Sequence, residues 1–170
     1  MLNFRLLLMC VLLNHSACGQ ENSKPVLLLN PTVHTGSSEV YENAALAFEG
    51  ENITLLADAR LIRLDLSAYE VVKAYGLHVY PAAVTETLPE PGVQSFFYLP
   101  FPANSAFLLT SPEPVSGHPL LPVLQEGEEA TFVATDGLMG ESSSKIRYIV
   151  VKGRLKRESG QALQRLHPER

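Results

Sequence analysis

The sequence has very little cysteine, and both cysteines lie near its start. Among 170 residues only Cys10 and Cys18 are cysteines. Cys10 belongs to an apolar run over residues 6–13, which follows the positively charged Arg5. Such a run is too short to span a bilayer, but it has the length and the flanking charge of a secretory signal. The sequence therefore predicts a signal peptide over residues 1–19.

Cys18 has two alternative fates at the end of this signal. Ala17 and Gly19 are small residues of the kind that a signal peptidase reads, whereas Ser16-Ala-Cys18 resembles a lipobox whose cysteine is acylated. Either fate predicts a secreted or periplasmic protein, and a membrane anchor only if Cys18 carries lipid. Neither fate leaves a structural disulfide, a thiol nucleophile or a cysteine-rich zinc site. The mature chain therefore depends on an apolar core, for which about 150 residues suffice.

The sequence also lacks an excess of positive charge. Its formal net charge is -5 and its pI is about 5.5, which argues against a nucleic-acid partner. Eight of the thirteen Lys and Arg nevertheless lie from Lys145 onward. Because charge runs usually face water, we interpret this region as the solvated end of a strand followed by a basic tail over residues 154–170. Its local patch consists of Lys152, Arg154, Lys156 and Arg157.

Short apolar or β-branched runs dominate after residue 25. Gly, Pro, Asn or Asp separate them at close spacing, a pattern typical of β-strands. We predict a single, mainly β domain over residues 25–153. Ser67 offers an alternative as the cap of a short helix over residues 67–73. The predicted strands are 26–29, 44–48, 53–57, 61–66, 71–75, 77–80, 96–99, 107–109, 130–135 and 146–151.

Glycine and proline divide these strands. Gly50 and Gly127 each lie between two apolar runs, where a positive φ is cheap, and each predicts a hairpin. Residues 89–122 hold eight of the twelve prolines, which predicts an irregular connection that is neither a sheet interior nor a long helix. Aromatic rings in this connection either cover the core or line a ligand groove, and the first role is the more common one. These rings belong to Phe96, Phe97, Tyr98, Phe101 and Phe107.

Two segments resemble a known family. Residues 26–82 contain VLLL, TVHTG, ENITLL and GLHVYPA in that order. They resemble the N-terminal β-sandwich portion of amidohydrolases, particularly secreted imidazolonepropionase-like members. Residues 123–154, with LQEGEEATFVATDG and a final KGR, are similar to the C-terminal return of the same family. The resemblance implies that both segments pair into one composite β-sandwich.

The resemblance also implies a missing catalytic domain. In that family a metal-binding TIM barrel is inserted between the two segments, but here only about 40 residues separate Ala82 from Val123, and a barrel needs roughly 200. The family motif would place two metal-binding histidines at Thr87 and Pro89. Thr is a poor ligand for a divalent metal and Pro is none. The resemblance therefore implies no catalytic residue, metal site or cofactor on the family pattern.

Other candidate residues give weak signals. His34, His78, His118 and His167 have no i, i+2 or i, i+4 spacing, so we interpret them as satisfied polar residues rather than metal ligands. The serines at 142–144 lack a Gly-x-Ser-x-Gly elbow and predict a polar loop.

Two functions follow as alternatives. In the first, the protein is a non-catalytic sandwich with a binding or structural role that docks onto a full-length amidohydrolase relative, because loss of the barrel would expose apolar surface. In the second, it is a metal-dependent hydrolase of non-peptide C–N bonds that uses an unrecognised site. That site would recruit His34, His78 or His118 alongside Glu86 or Glu90.

Overall fold

The computed structural model describes residues 24–86, 97–101, 106–111, 122–157 and 164–165. These residues are mainly β: they form thirteen strands and one 3₁₀ turn, arranged as two mixed sheets that enclose an apolar core. Within the described part of the chain, no helix is long and apolar enough to cross a membrane. Several predictions concern residues outside these ranges: the signal peptide with Cys18, the family positions Thr87 and Pro89, and Glu90, His118 and His167.

The first sheet has the strand order β5-β4-β1-β6. Its strands are β1 (Val26–Leu29), β4 (Ala44–Glu49), β5 (Asn52–Asp58) and β6 (Glu70–Lys73). β1 pairs antiparallel with β4 and parallel with β6. Leu28 faces the core between the sheets, while its neighbour Leu27 lies in a second apolar cluster on the outer face. Because both faces of the two central strands are covered, β1 and β4 are apolar at almost every position.

The second sheet is larger and has the order β12-β11-β10-β7-β9-β8-β13. Two short strands join it beside β7: β2 (Thr32–His34) pairs parallel with β7, and β3 (Val40–Tyr41) pairs with β2. The remaining strands are β7 (His78–Thr85), β8 (Phe97–Phe101), β9 (Ala106–Thr110), β10 (Phe132–Thr135), β11 (Ile146–Val151), β12 (Arg154–Arg157) and β13 (Gln164–Arg165).

β7 changes its partner halfway along one edge. Its first residues pair with β2 and its last four with β9, while β10 runs along the other edge. Ala82 N–H donates to Thr131 on the β10 side, at 3.1 Å. Successive N–H groups of a strand point to opposite edges. The nitrogen of Pro81, which carries no hydrogen, therefore faces the edge where β2 has ended and β9 has not begun. This position explains how a central strand accommodates a proline.

The core lies between the two sheets. Phe48 of β4 and Phe132 of β10 meet there edge to face, with ring centroids 5.7 Å apart and an interplanar angle of 75°. Leu28 and Leu46 from the first sheet, and Val79 from the second, are fully buried around them. The core therefore joins the segment before residue 86 to the segment after residue 122.

Gly36 lies where the chain leaves this core and returns to it. Its φ is +82°, and a Cβ atom at this position would lie 2.8 Å from Cγ of Pro81 and 3.2 Å from the carbonyl oxygen of Pro122. Only glycine avoids both the left-handed strain and the contact with Pro81. Pro81 and Pro122 are consequently neighbours in space, although about 40 residues separate them along the chain.

The predicted strand over residues 61–66 is wrong. Asp58 Oδ1 accepts a hydrogen bond from the Arg60 N–H at 2.9 Å, which turns the chain out of β5. Asp65 then accepts from the Ser67 N–H at 3.0 Å and caps the 3₁₀ turn Leu66–Ala68. Hydrogen bonds between short acidic side chains and nearby backbone N–H groups thus replace the backbone hydrogen bonds of a paired strand. The alternative helix over 67–73 is wrong too, because β6 follows this turn.

The two predicted hairpins have different outcomes. The turn at Gly50 is confirmed, since β4 and β5 pair antiparallel around it. The hairpin at Gly127 is wrong although a turn is present, because the described residues 122–126 that lead into it form no strand. The Gly127 N–H donates to the carbonyl of Ile53 at 2.8 Å, and the Ile53 N–H donates to the carbonyl of Glu128 at 2.8 Å. This turn covers the open edge of β5 instead of joining two strands.

The proline-rich connection contains more sheet than expected. The strand signals at 96–99 and 107–109 correspond to β8 and β9, and β9 lies inside the second sheet. The prediction that this region excludes a sheet interior is therefore wrong at β9. The physical reason is that residues 103–111 contain no proline, which leaves room for a five-residue strand. Four strands were not predicted from the sequence: β2, β3, β12 and β13. β12 extends the sheet into the segment predicted as a tail.

Candidate histidine site

Two histidines that are distant in the sequence meet on the outer face of the second sheet. His34 is the last residue of β2 and His78 is the first residue of β7. His34 Nε2 lies 3.2 Å from His78 Nδ1, so the two rings share a hydrogen bond. The parallel register, in which Thr32 is opposite His78, determines this contact. We name these two residues the histidine pair.

The ring of Tyr80 packs against the histidine pair. The Tyr80 ring stacks on the His34 ring with centroids 4.3 Å apart and an interplanar angle of only 6°. Tyr80 is 1% exposed, and its hydroxyl accepts a hydrogen bond from the Met139 N–H at 3.1 Å. Because its ring and its hydroxyl are both held, Tyr80 limits the orientations open to His34.

Burial keeps both imidazoles neutral. Desolvation, and then repulsion from His78, lowers the pKa of His34 from 6.5 to about 4. Burial also lowers the pKa of His78, while the nearby negative charge of Glu141 acts in the opposite direction. Burial raises the pKa of Tyr80, so its hydroxyl keeps its proton. At neutral pH one histidine therefore donates the shared hydrogen bond and the other accepts it.

The histidine pair should make the stability of the fold depend on pH between about 6.5 and 4. The pKa of His34 is lower in the folded chain, so the unfolded chain binds protons first as the pH falls. The contribution is complete above pH 6.5 and is lost as the pH approaches 4. We expect a loss of about 1–2 kcal/mol, after allowing for solvent around the half-buried ring. Urea unfolding between pH 7.5 and pH 4 measures it.

A double substitution provides the control for this dependence. His34→Gln with His78→Gln removes both titrating rings and should flatten the unfolding free energy over that pH range. Carboxylates act in a lower range: Arg60 holds the pKa of Asp58 at about 2, through hydrogen bonds to the carboxylate, so its contribution disappears below pH 4. An unchanged slope in the double variant between pH 6.5 and 4 would contradict the assignment.

The serine loop predicted from residues 142–144 has a structural role. Ser144 Oγ donates to the carbonyl of Gly137 at 3.2 Å. Asp136 accepts a hydrogen bond from the Lys145 N–H at 2.7 Å and forms a 2.6 Å ion pair with Arg147. These contacts close the loop between β10 and β11. The hydroxyl of Ser144 is used as a donor to the backbone.

The basic patch at the end of the domain borders a pocket of about 310 Å³ between the ends of the two sheets. Lys152 Nζ lies 3.9 Å from a carboxylate oxygen of Glu129, which offsets part of the charge of the patch. Positive and negative side chains are equally frequent around the pocket, so its charges do not favour an anion. The charged lining residues are Lys24, Lys152, Arg154, Glu49, Glu51 and Glu70.

The structure describes only one of the other residues of the hydrolase alternative. Glu86 is exposed just beyond β7, whereas His118 and Glu90 lie outside the described residues. Among the residues that the structure describes, no group of three or more His, Cys, Asp or Glu side chains is arranged to hold a metal ion. The contact between His34 and His78 was missed because 44 residues separate them, and only the pairing of two parallel strands reveals it.

Comparison of the chain with protein-family models, with curated proteins and with solved structures found no match in any of the three. The function is therefore inferred from the residues and contacts described above.

Proposed function

We propose that the protein is a non-catalytic β-sandwich module that resembles the composite domain of amidohydrolases and has a binding or structural role. One observation carries the proposal: the two segments of the resemblance, 26–82 and 123–154, lie in one sandwich. β7 from the first segment pairs antiparallel with β10 from the second, with Pro81 opposite Phe132. Phe48 and Phe132 close the shared core. This arrangement is the one that the resemblance implies for the two segments.

The path of the connecting chain supports the absence of a catalytic barrel. A TIM barrel consists of eight parallel strands, each followed by a helix. In the described part of the connection, β8 and β9 run antiparallel to each other and extend the second sheet. β9 pairs with the end of β7, at the position where the family would begin its first barrel strand. Within the proposal, this sheet extension stands in place of the barrel.

The proposed partner is a full-length amidohydrolase-like protein. The outer face of the second sheet offers a surface for it, because Val84 is 47% exposed and Leu138 is 46% exposed. Val84 follows Tyr80 and Ala82 at alternate positions of β7, and Leu138 precedes Met139, which packs on Tyr80. We name Val84 and Leu138 the outer patch. We also propose that the protein is secreted or periplasmic, with a membrane anchor only if Cys18 is acylated.

Charge in the outer patch should weaken docking. We expect Val84→Asp with Leu138→Asp to weaken binding to a co-purified secreted amidohydrolase by about tenfold or more, because desolvating two carboxylates opposes apolar contact. Size-exclusion chromatography and a pull-down with measured Kd provide the readout. Leu61→Asp is the matched control, since Leu61 is 83% exposed in the segment that covers the first sheet.

Two results would contradict docking. A protein that stays monomeric and captures no amidohydrolase has no such partner. Equal loss of binding in the Leu61→Asp control would show that the effect is not specific to the outer patch.

A second candidate function rests on the histidine pair. The hydrolase alternative recruits histidines from separate parts of the chain, and the structure brings His34 within 3.2 Å of His78. Metal-dependent hydrolysis of non-peptide C–N bonds would use such a site to activate water. The discriminating measurement is ammonia or amine release from amide and cyclic-amide substrates with and without added zinc. Activity that His78→Gln does not lower would exclude the histidine pair as its source.

A further inference from the structure

We infer that the histidine pair is a two-imidazole binding site for a divalent late transition-metal ion, with Cu²⁺ preferred over Zn²⁺. His34 Nε2 and His78 Nδ1 are 3.2 Å apart. Two nitrogen ligands at about 2.0–2.1 Å from one ion are separated by about 2.8–3.4 Å for ligand angles between square and tetrahedral. The observed separation falls within this range. The distance between the two nitrogens therefore needs little change for both to bind one ion.

The shared hydrogen bond already presents one unprotonated nitrogen. Imidazole binds a metal through a neutral nitrogen. Of His34 Nε2 and His78 Nδ1, one donates the hydrogen bond and the other accepts it through a free lone pair. On metal binding, His34 Nε2 and His78 Nδ1 both become ligands, and the proton they shared moves to the opposite nitrogen of its own ring.

The surroundings hold the two rings while leaving access for an ion. Tyr80 stacks on His34, and the paired strands β2 and β7 fix the backbone positions of both histidines. His34 and His78 are only partly buried, so solvent reaches them from the outer face. The charge of Glu141 acts on His78 and favours a cation there. A held pair loses less side-chain entropy when it binds the ion.

The number of ligands limits the affinity. Within the described ranges no third His, Cys, Asp or Glu completes a metal cluster, so water fills the remaining positions. Imidazole nitrogen suits copper, nickel and zinc, and copper binds most tightly among the divalent ions of this series. Magnesium and calcium prefer oxygen ligands and should not compete. The inference concerns binding alone, and it depends neither on docking nor on hydrolysis.

Calorimetric titration tests the site directly. Tag-free, metal-stripped protein is titrated with CuCl₂ and with ZnCl₂ at pH 7, and we expect one ion per chain, with copper bound more tightly. His34→Gln and His78→Gln should each weaken binding by about tenfold or more. His167→Gln is the matched control and should leave binding unchanged. Full binding in the His34 and His78 variants, or no binding to the wild-type protein, would overturn the inference.

A measurement on the wild-type protein covers the case in which a variant fails to fold. In an NMR titration with Zn²⁺, the side-chain signals of His34 and His78 should move together and saturate at one equivalent. Lowering the pH to 4 should reverse the shifts as protons displace the metal. Saturating shifts confined to His118 or His167 would place the ion elsewhere and overturn the inference.

Discussion

Replacing Gly153 with alanine should lower the free energy of unfolding by about 3 kcal/mol or more. Gly153 has a φ of +68°, and a Cβ atom there would overlap the carbonyl oxygen of Gly50 and lie 2.7 Å from its carbonyl carbon. Both obstructing atoms belong to the backbone, so no side-chain rotation relieves the contact. The turn between β11 and β12 would have to move away from the turn between β4 and β5. Urea unfolding, followed by circular dichroism, measures the loss.

Gly76→Ala is the matched control for this prediction. Gly76 has a similar φ of +75°, but no atom lies within 4 Å of the Cβ position. Its substitution therefore isolates the strain of the left-handed backbone, about 1 kcal/mol. The difference between the two variants reports the contact between the two turns. Equal losses in both variants would show that this contact does not contribute to stability.

Replacing Phe132 with alanine should cost about 3–5 kcal/mol. Phe132 is fully buried on β10, and its ring meets Phe48 from the opposite sheet. Truncation removes this aromatic pair and leaves a cavity between rigid sheets that cannot close around it. Because many domains are stable by only about 5–15 kcal/mol, the variant should unfold far below the wild-type temperature. Thermal and urea unfolding both measure the change.

Tyr75→Ala provides the control for the loss of an aromatic ring. Tyr75 is 84% exposed, so its removal should change the stability by no more than about 0.5 kcal/mol. A small effect of Phe132→Ala would mean that the two segments of the chain do not depend on their shared core.

Much of the sheet structure could be predicted from local patterns. The strands at 26–29 and 146–151 have the bounds that their apolar runs predict, and the turn at Gly50 follows from one glycine between two such runs. These features depend on neighbouring residues alone. The pairing of β7 with β10 joins two distant segments of the chain and depends on more than local patterns.

Other features depend on competition or on distant contacts, so the sequence could not supply them. Residues 61–66 alternate like a strand, and Ile62 and Leu64 do pack on the first sheet, but Asp58 and Asp65 take the backbone into turns. The contact between His34 and His78 depends on a parallel register that neither segment specifies by itself. The partner change of β7 at Pro81 likewise requires the positions of three other strands.

The proximity of Pro81 and Pro122 around Gly36 has a consequence for how this architecture tolerates change. The chain passes Pro81 before the connection and reaches Pro122 after it, so the two ends of the connection lie close together in space. The entropic cost of closing a loop between two such positions grows only slowly with the length of the loop. A connection of about forty residues and a far longer insertion could therefore join the same two positions of the chain, while the two sheets keep their packing.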